Sequence, residues 1–102
     1  MSRKYYEDRL FPTADEDFAD IINYIAAERI CSAKSLVIKF EKYFKLLTYN
    51  PRLGRIPKEN ELASFGYRVI IIENYLMFYT IEENIIYLHR IIHGARDYIS
   101  LL

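Results

Sequence analysis

The sequence predicts an α+β domain with an N-terminal strand, a helical hairpin and a three-stranded antiparallel meander. Three observations predict it. The chain has 102 residues, the length of a single domain over 1–102. Its first half carries two segments with helical spacing of apolar residues, and its second half carries three segments rich in β-branched and aromatic residues. Apolar residues make up 52% and charged residues 27%, which excludes the disordered and fibrous classes.

The first helix follows a short strand. Residues 3–11 alternate weakly between aromatic and charged types, which predicts a strand exposed on one side that ends at Pro12. Thr13 and Glu16 have the spacing of a capping box, so a helix is expected to start there and run to about Glu28. Its apolar stripe has i, i+3, i+4, i+7 spacing and consists of Phe18, Ile21, Ile22 and Ile25.

A second helix completes the hairpin. Ser32 is a plausible N-cap, and the helix is expected to stop near Asn50 because the residue before Pro51 disfavours helical geometry. Its apolar stripe consists of Ala33, Leu36, Val37, Phe40, Phe44 and Leu47. Residues 51–66 contain Gly54 and Pro57 and are predicted to form a loop.

The predicted meander consists of Tyr67–Ile72, Tyr75–Ile81 and Ile85–Ile92. All three segments are almost continuously apolar, so both faces of the sheet, predicted as antiparallel with about four strands, are expected to be covered. The helical hairpin covers one face, and the other needs a second cover. The chain has ten tyrosines, which suit either a surface that a partner buries or a small strand-rich core.

The composition predicts a cytoplasmic protein with no membrane segment. The longest apolar run, Tyr75 to Tyr79, has five residues where a bilayer span needs about twenty, and the N-terminus lacks the apolar core of a signal peptide. The single cysteine, Cys31, permits no internal disulfide. It lies at the turn between the helices and is expected to be a buried structural residue rather than a nucleophile.

Charge is distributed unevenly along a chain of zero net charge. Residues 1–28 hold three basic and seven acidic side chains, and residues 29–102 hold eleven and seven. The stretches 45–58 and 84–96 contain basic residues and no carboxylate. These stretches form either one basic face, at the edge of the sheet, or a solvated surface spread over several sides.

Several kinds of chemistry lack the residues they need. None of the three glycines belongs to a Gly-rich nucleotide-binding loop, so no cofactor and no small-molecule substrate are expected. His89 and His93 have a spacing that suits metal ligands on a helix, but here they lie in or after a strand, about 13 Å apart. No metal site is therefore expected.

The segment from His89 to Tyr98 is the densest in functional side chains. Its arginines suit phosphate or carboxylate binding, and its histidines and tyrosine suit proton transfer, which are ingredients of a ribonuclease. The alternative interpretation is structural, with Arg96 paired to Asp97 or to a helix carboxylate.

The order of these elements and motifs resembles the RelE/ParE superfamily, the toxins of bacterial type II toxin–antitoxin modules. The residues that carry the resemblance are spread over nearly the whole chain. They are Phe11 to Ala14, Asp17 to Ile25, Asn50 to Arg55, Tyr67-Arg68, Asn74 to Tyr79 and Arg90 to Asp97.

The resemblance implies a growth-inhibiting toxin, neutralised by a cognate antitoxin that covers apolar sheet surface. RelE-like members cleave mRNA on the ribosome and commonly carry an arginine in the middle strand, where this chain has Leu76. Cleavage of RNA needs a fixed cation near the phosphate, and leucine supplies none. The chain is therefore more similar to ParE-like members, which act on DNA gyrase.

Two sets of site residues follow from the resemblance and the charge pattern. A ParE-like toxin would bind gyrase without a catalytic step through Arg68, Arg90, His93 and Arg96. A RelE-like nuclease would hold phosphate with Arg90 or Arg96 and move protons with His93 and Tyr98, so that its catalytic set is His93, Arg96 and Tyr98. A third class, an interaction protein without toxicity, stays open.

Overall fold

The computed structural model describes residues 6–94 and residue 102. Its elements are, in chain order, β1 (Glu7–Leu10), α1 (Pro12–Ala26), α2 (Ile30–Tyr49), α3 (Asn60–Ser64), β2 (Arg68–Ile72), β3 (Tyr75–Glu82) and β4 (Ile85–His93). The predicted α+β class, with its strand, helical hairpin and meander, is confirmed. None of the helices in these residues combines the length and apolar character needed to span a membrane.

The four strands form one sheet in the order β1-β4-β3-β2. The β2-β3-β4 meander is antiparallel as predicted, but β1 pairs with β4 in parallel, with Leu10 opposite Leu88. A parallel pair needs a long crossover connection, which the two helices and the meander provide here. The prediction of an entirely antiparallel sheet is therefore wrong at β1, which pairs only with the first half of β4, as far as Leu88.

The helical hairpin buries one face of the sheet, as predicted. Phe40 from α2 and Ala14 from α1 are fully buried against Met77, Tyr79 and Leu88 of the two central strands. The predicted stripe of α1 packs around this cluster with Phe18, Ile21, Ile22 and Ile25. The 3.6-residue period in the sequence therefore identified the buried sides of both helices.

The opposite face of the sheet, called here the back face, is covered in part by the chain itself. Leu62 of α3 packs with Val69, Phe78 and Ile92, and Leu102 lies against the same cluster. The sequence predicted a loop where α3 forms, because a single helical turn is too short to show a period. The second cover that the sequence called for is therefore supplied in part by α3 and Leu102.

Exposed apolar side chains lie mainly on the helices and loops. On the described strands the only large apolar residue that is exposed is Ile71, at 49%. The others are Phe11, Tyr24, Ile30, Ile38, Leu46, Tyr49, Leu53, Ile56 and Phe65. The apolar surface open to a partner is thus placed differently from the sheet surface that the sequence predicted.

The start of α2 also differs from its prediction. The helix begins at Ile30, after Arg29 in extended geometry, so Ser32 lies within its first turn and does not cap it. The backbone N–H of Ala33 already bonds to the carbonyl oxygen of Arg29. Cys31 lies in the same turn and is exposed, so the prediction of a buried cysteine is wrong.

The carboxyl group of Asp8 in β1 lies in an environment that disfavours its charge. Its side chain is half-buried, and its Oδ1 atom is buried without a hydrogen-bond partner. Burial raises the pKa of Asp8 from 3.8 to about 6. At neutral pH the ionised carboxylate of Asp8 therefore lowers the free energy of unfolding.

We expect Asp8→Asn to stabilise the protein at pH 7.5 by about 1 kcal/mol. This value is smaller than the free energy that corresponds to the full pKa shift, because solvent screens a carboxyl group that is only half-buried. The folded protein binds this proton more tightly than the unfolded chain, so wild-type stability falls as the pH rises from about 4 to 6. Urea unfolding at pH 4 and pH 7.5 measures the difference. The gain should vanish at pH 4, and a gain of equal size at both values would contradict the explanation.

Candidate functional site

The N-terminal part of α1 seals the outer edge of β4. Beyond Leu10 there is no neighbouring strand, and Phe11 donates its backbone N–H to the Leu88 carbonyl at 2.9 Å. One turn on, the Thr13 hydroxyl donates to the His89 carbonyl at 2.9 Å. The predicted capping box is therefore wrong: α1 begins at Pro12 without a side-chain cap, because the Thr13 hydroxyl is used by the sheet.

Asp17 continues this edge and holds Arg90. Its carboxylate accepts the Arg90 Nε–H at 2.7 Å, a second guanidinium N–H at 2.9 Å and the backbone N–H of Ile91 at 3.0 Å. The side chains of Arg90 and Asp17 are only 23% and 15% exposed. The hydrogen bonds that Arg90 donates to Asp17 raise the pKa of Arg90 further above its ordinary value. The structural interpretation of this segment predicted that Arg96 pairs with a helix carboxylate. The structure shows a pairing of this kind at Arg90.

His93 lies beside this pair at the end of β4. Its ring is exposed and meets the ring of Tyr75 edge to face, with centroids 5.5 Å apart. Asp17, Arg90 and His93 border one small cavity of about 140 Å³. Two of the predicted site residues, Arg90 and His93, are therefore brought together.

Arg68 does not belong to that group. It lies on β2, separated from β4 by β3, and donates to the carbonyl oxygen of Gly54 at 2.7 Å. The other two predicted residues, Arg96 and Tyr98, lie outside the described residues. Of the predicted site residues that the structure describes, Arg90 and His93 lie together and Arg68 does not.

Tyr79 of β3 holds the loop that follows α2 through two hydrogen bonds. Its buried hydroxyl accepts the Gly54 N–H at 2.8 Å and donates to the Pro51 carbonyl at 2.7 Å. Burial raises the pKa of Tyr79, so the hydroxyl stays protonated. Together with Arg68, this side chain fixes the loop against the sheet.

A groove of about 560 Å³ lies between α3 and the back face of the sheet. We call it the back-face groove. It is lined by Glu61, Leu62, Phe65, Gly66, Tyr67, Thr80, Ile81, Glu82, His89 and Leu102. The sequence could not predict it, because α3 was predicted as loop.

His89 is one of the residues that line this groove. Its Nε2 is 2.8 Å from the Thr80 hydroxyl, and its Nδ1 is 3.5 Å from the Tyr67 hydroxyl. The rings of Phe11 and Tyr67 meet it edge to face at 4.5 and 4.9 Å. Burial lowers the pKa of His89, and Glu82 opposes this only in part. The imidazole is therefore neutral at physiological pH.

A β-bulge gives His89 this position. Phe78 pairs with Arg90 and Tyr79 pairs with Leu88, so His89 has no partner in the register. The bulge also changes the alternation of β4, so that Leu88 and Ile91 both join the core cluster on the helical face. No local signal in the sequence marks a bulge here. The sequence therefore identifies His89 only as one of several basic residues and as a poor zinc ligand.

Comparison with known proteins agrees with this architecture. The family model described as the ParE toxin of the type II toxin-antitoxin system parDE matches residues 9–98. The chromosomal ParDE toxin–antitoxin system of P. aeruginosa has a similar fold, with a TM-score of 0.71 and 16% identity over 87% of this chain and 96% of that chain. The RelBE2 toxin–antitoxin complex of Mycobacterium tuberculosis gives 0.61 and 26% over 87% and 98%. Among curated protein sequences, none matches.

The family match, together with a helical hairpin on a four-stranded sheet, identifies the chain as a toxin of a type II toxin–antitoxin system in the RelE/ParE superfamily. Within that class, the family match over 9–98 covers most of the sequence. The chain belongs to the ParE toxin family, as its sequence motifs predicted.

Proposed function

We propose that this protein inhibits growth by binding DNA gyrase, that it does so without a catalytic step, and that a cognate antitoxin neutralises it. Membership of the ParE toxin family supports the target, since the ParE-like resemblance implies gyrase. Both similar structures are toxin–antitoxin systems, which supports the antitoxin as partner.

The proposal that this toxin acts without a catalytic step rests on the pairing of Arg90 with Asp17. A nuclease needs a guanidinium that is available to a phosphate, and two N–H groups of Arg90 are already bound by a carboxylate. Arg68 is engaged with the Gly54 carbonyl in a similar way. These two arginines therefore act as structural residues, which leaves His93 as the exposed contact residue on β4.

Leu76 supports the same conclusion. It occupies the position where RelE-like nucleases commonly carry an arginine, and it packs against the back-face cluster of Leu62, Val69, Phe78 and Ile92. This part of the sheet therefore offers an apolar contact where a nuclease would need a cation.

A gyrase supercoiling assay tests the proposal. Stoichiometric purified protein is expected to abolish supercoiling, and His93→Ala is expected to weaken this inhibition about tenfold without loss of thermal stability. Lys42→Ala, an exposed change on α2, is the matched control and should inhibit like wild type. Unaffected supercoiling at a large excess of the protein would contradict the proposal.

One observation favours a second function, the cleavage of mRNA on the ribosome. The back-face groove holds a neutral imidazole hydrogen-bonded to a hydroxyl, with a phenol beside it, and such groups can transfer protons. On this alternative, translated transcripts show new 5′ ends after induction, and His89→Gln abolishes them. Induction without antitoxin also separates both functions from a non-toxic interaction protein, for which growth would be unaltered.

A further inference from the structure

The two charged side chains among the described residues that line the back-face groove are both negative, and Arg90 lines an adjoining cavity. Glu61 and Glu82 line it, and no lysine or arginine does so among the described residues. Neither carboxylate belongs to an ion pair in the part of the chain that the structure describes. His89 is neutral at physiological pH and does not compensate them. These charges therefore favour a cationic ligand in the groove and count against the mRNA-cleavage alternative at this place.

The walls of the groove suit a planar cation. Phe65 is 74% exposed at the rim, and the ring of Tyr67 lies further in, beside His89. Aromatic faces bind guanidinium groups by cation–π contact and by stacking, and carboxylates bind them through paired hydrogen bonds. Arginine therefore matches this combination better than lysine does.

The remaining lining is apolar and roomy. Leu62 and Leu102 contribute apolar surface, and a volume of about 560 Å³ exceeds what one side chain fills. An arginine in this groove would thus be accompanied by apolar neighbours from the same segment.

We propose that the back-face groove receives an arginine side chain of the antitoxin, flanked by apolar residues, with Glu61 and Glu82 as its charged partners. The proposal rests on the proposed function in taking the partner to be an antitoxin. It adds the chemistry of the contact and its place on the toxin.

The test uses the full-length ¹⁵N-labelled chain and two synthetic peptides, acetyl-Ser-Leu-Arg-Leu-Ser-amide and the same peptide with glutamine for arginine. The arginine peptide is expected to shift the amide signals of Gly66, Thr80 and His89 and to bind about tenfold more tightly than the glutamine peptide. The double variant Glu61→Gln/Glu82→Gln is expected to remove this tenfold preference. The matched control Glu28→Gln/Glu41→Gln makes the same charge change at exposed sites in the α1–α2 turn and on α2, and it should retain the preference.

Three results would overturn the proposal: equal binding of both peptides, an unchanged preference in the Glu61/Glu82 variant, or the same amide shifts with hexauridylate instead of the arginine peptide. The last result would point to RNA as the ligand. Failure of the proposed function is distinguishable, because gyrase supercoiling and growth are measured without these peptides. A groove that binds no arginine in a toxin that still inhibits gyrase removes only the present inference.

Discussion

Replacing Gly54 with alanine is expected to lower the free energy of unfolding by about 3 kcal/mol, or about 15 °C in Tm. A Cβ atom at this position would lie 2.7 Å from the Tyr79 hydroxyl oxygen, 2.8 Å from its Cε1 and 2.9 Å from the Val69 carbonyl oxygen. Tyr79 is fully buried, so its ring has no room to withdraw. The substitution would also break the hydrogen bond from the Gly54 N–H to Tyr79.

Thermal unfolding followed by circular dichroism measures this effect. Gly66→Ala is the matched control, because Gly66 has a left-handed φ of +85° but no atom within 4 Å of the added Cβ. It should therefore cost only the backbone strain of about 1 kcal/mol. Equal losses for the two variants would show that close approach to Tyr79 is not what requires glycine at position 54.

Asp17→Ala is expected to cost about 3 kcal/mol, although its carboxylate lies on a surface helix. The change leaves the Arg90 guanidinium without this partner in a mostly buried setting and removes the acceptor of the Ile91 N–H. Arg90→Ala should cost less, about 2 kcal/mol, because Asp17 then keeps its hydrogen bond to Ile91.

A double-mutant cycle over Asp17 and Arg90, read by urea unfolding, isolates their interaction, which we expect to be more than 1 kcal/mol. The Lys39–Glu73 pair provides the comparison. Its atoms are also close, at 2.8 Å, but its side chains are 49% and 48% exposed, so its coupling should stay below about 0.5 kcal/mol. Similar coupling in the two cycles would contradict the structural role assigned to Asp17.

Periodicity predicted the parts of the fold that repeat. The stripe beginning at Phe18 marked the buried side of α1, and the three apolar runs of the meander agree with β2, β3 and β4 to within one residue at each end. These signals extend over several turns or residues, so local errors average out. Gly54 also stood out in the sequence, though only as part of a loop.

The features that failed prediction depend on contacts distant in sequence. The Thr13 hydroxyl has the right spacing for a cap, but the His89 carbonyl, 76 positions later, competes for it. The parallel orientation of β1 is likewise set by β4, and α3 is stabilised by packing of Leu62 on the back face. Single-residue spacing carries none of this information.

The candidate site shows the same division. The segment starting at His89 was correctly singled out as chemically dense, but the roles within it were not predictable. Whether Arg90 faces a phosphate or a carboxylate depends on where α1 crosses the sheet, and the position of His89 depends on the bulge. Both are properties of the assembled sheet rather than of the segment.

The pairing of β1 with β4 has a consequence for biosynthesis. Among the described strands β1 is translated first, yet the strand it pairs with, β4, is translated last. A nascent chain that stops before Ile85 therefore lacks the strand with which β1 pairs. It also lacks the backbone groups of β4 that form hydrogen bonds with Thr13 and Asp17. The four-stranded sheet can therefore form only after β4 has been translated, so its assembly waits for a strand about 75 residues after β1.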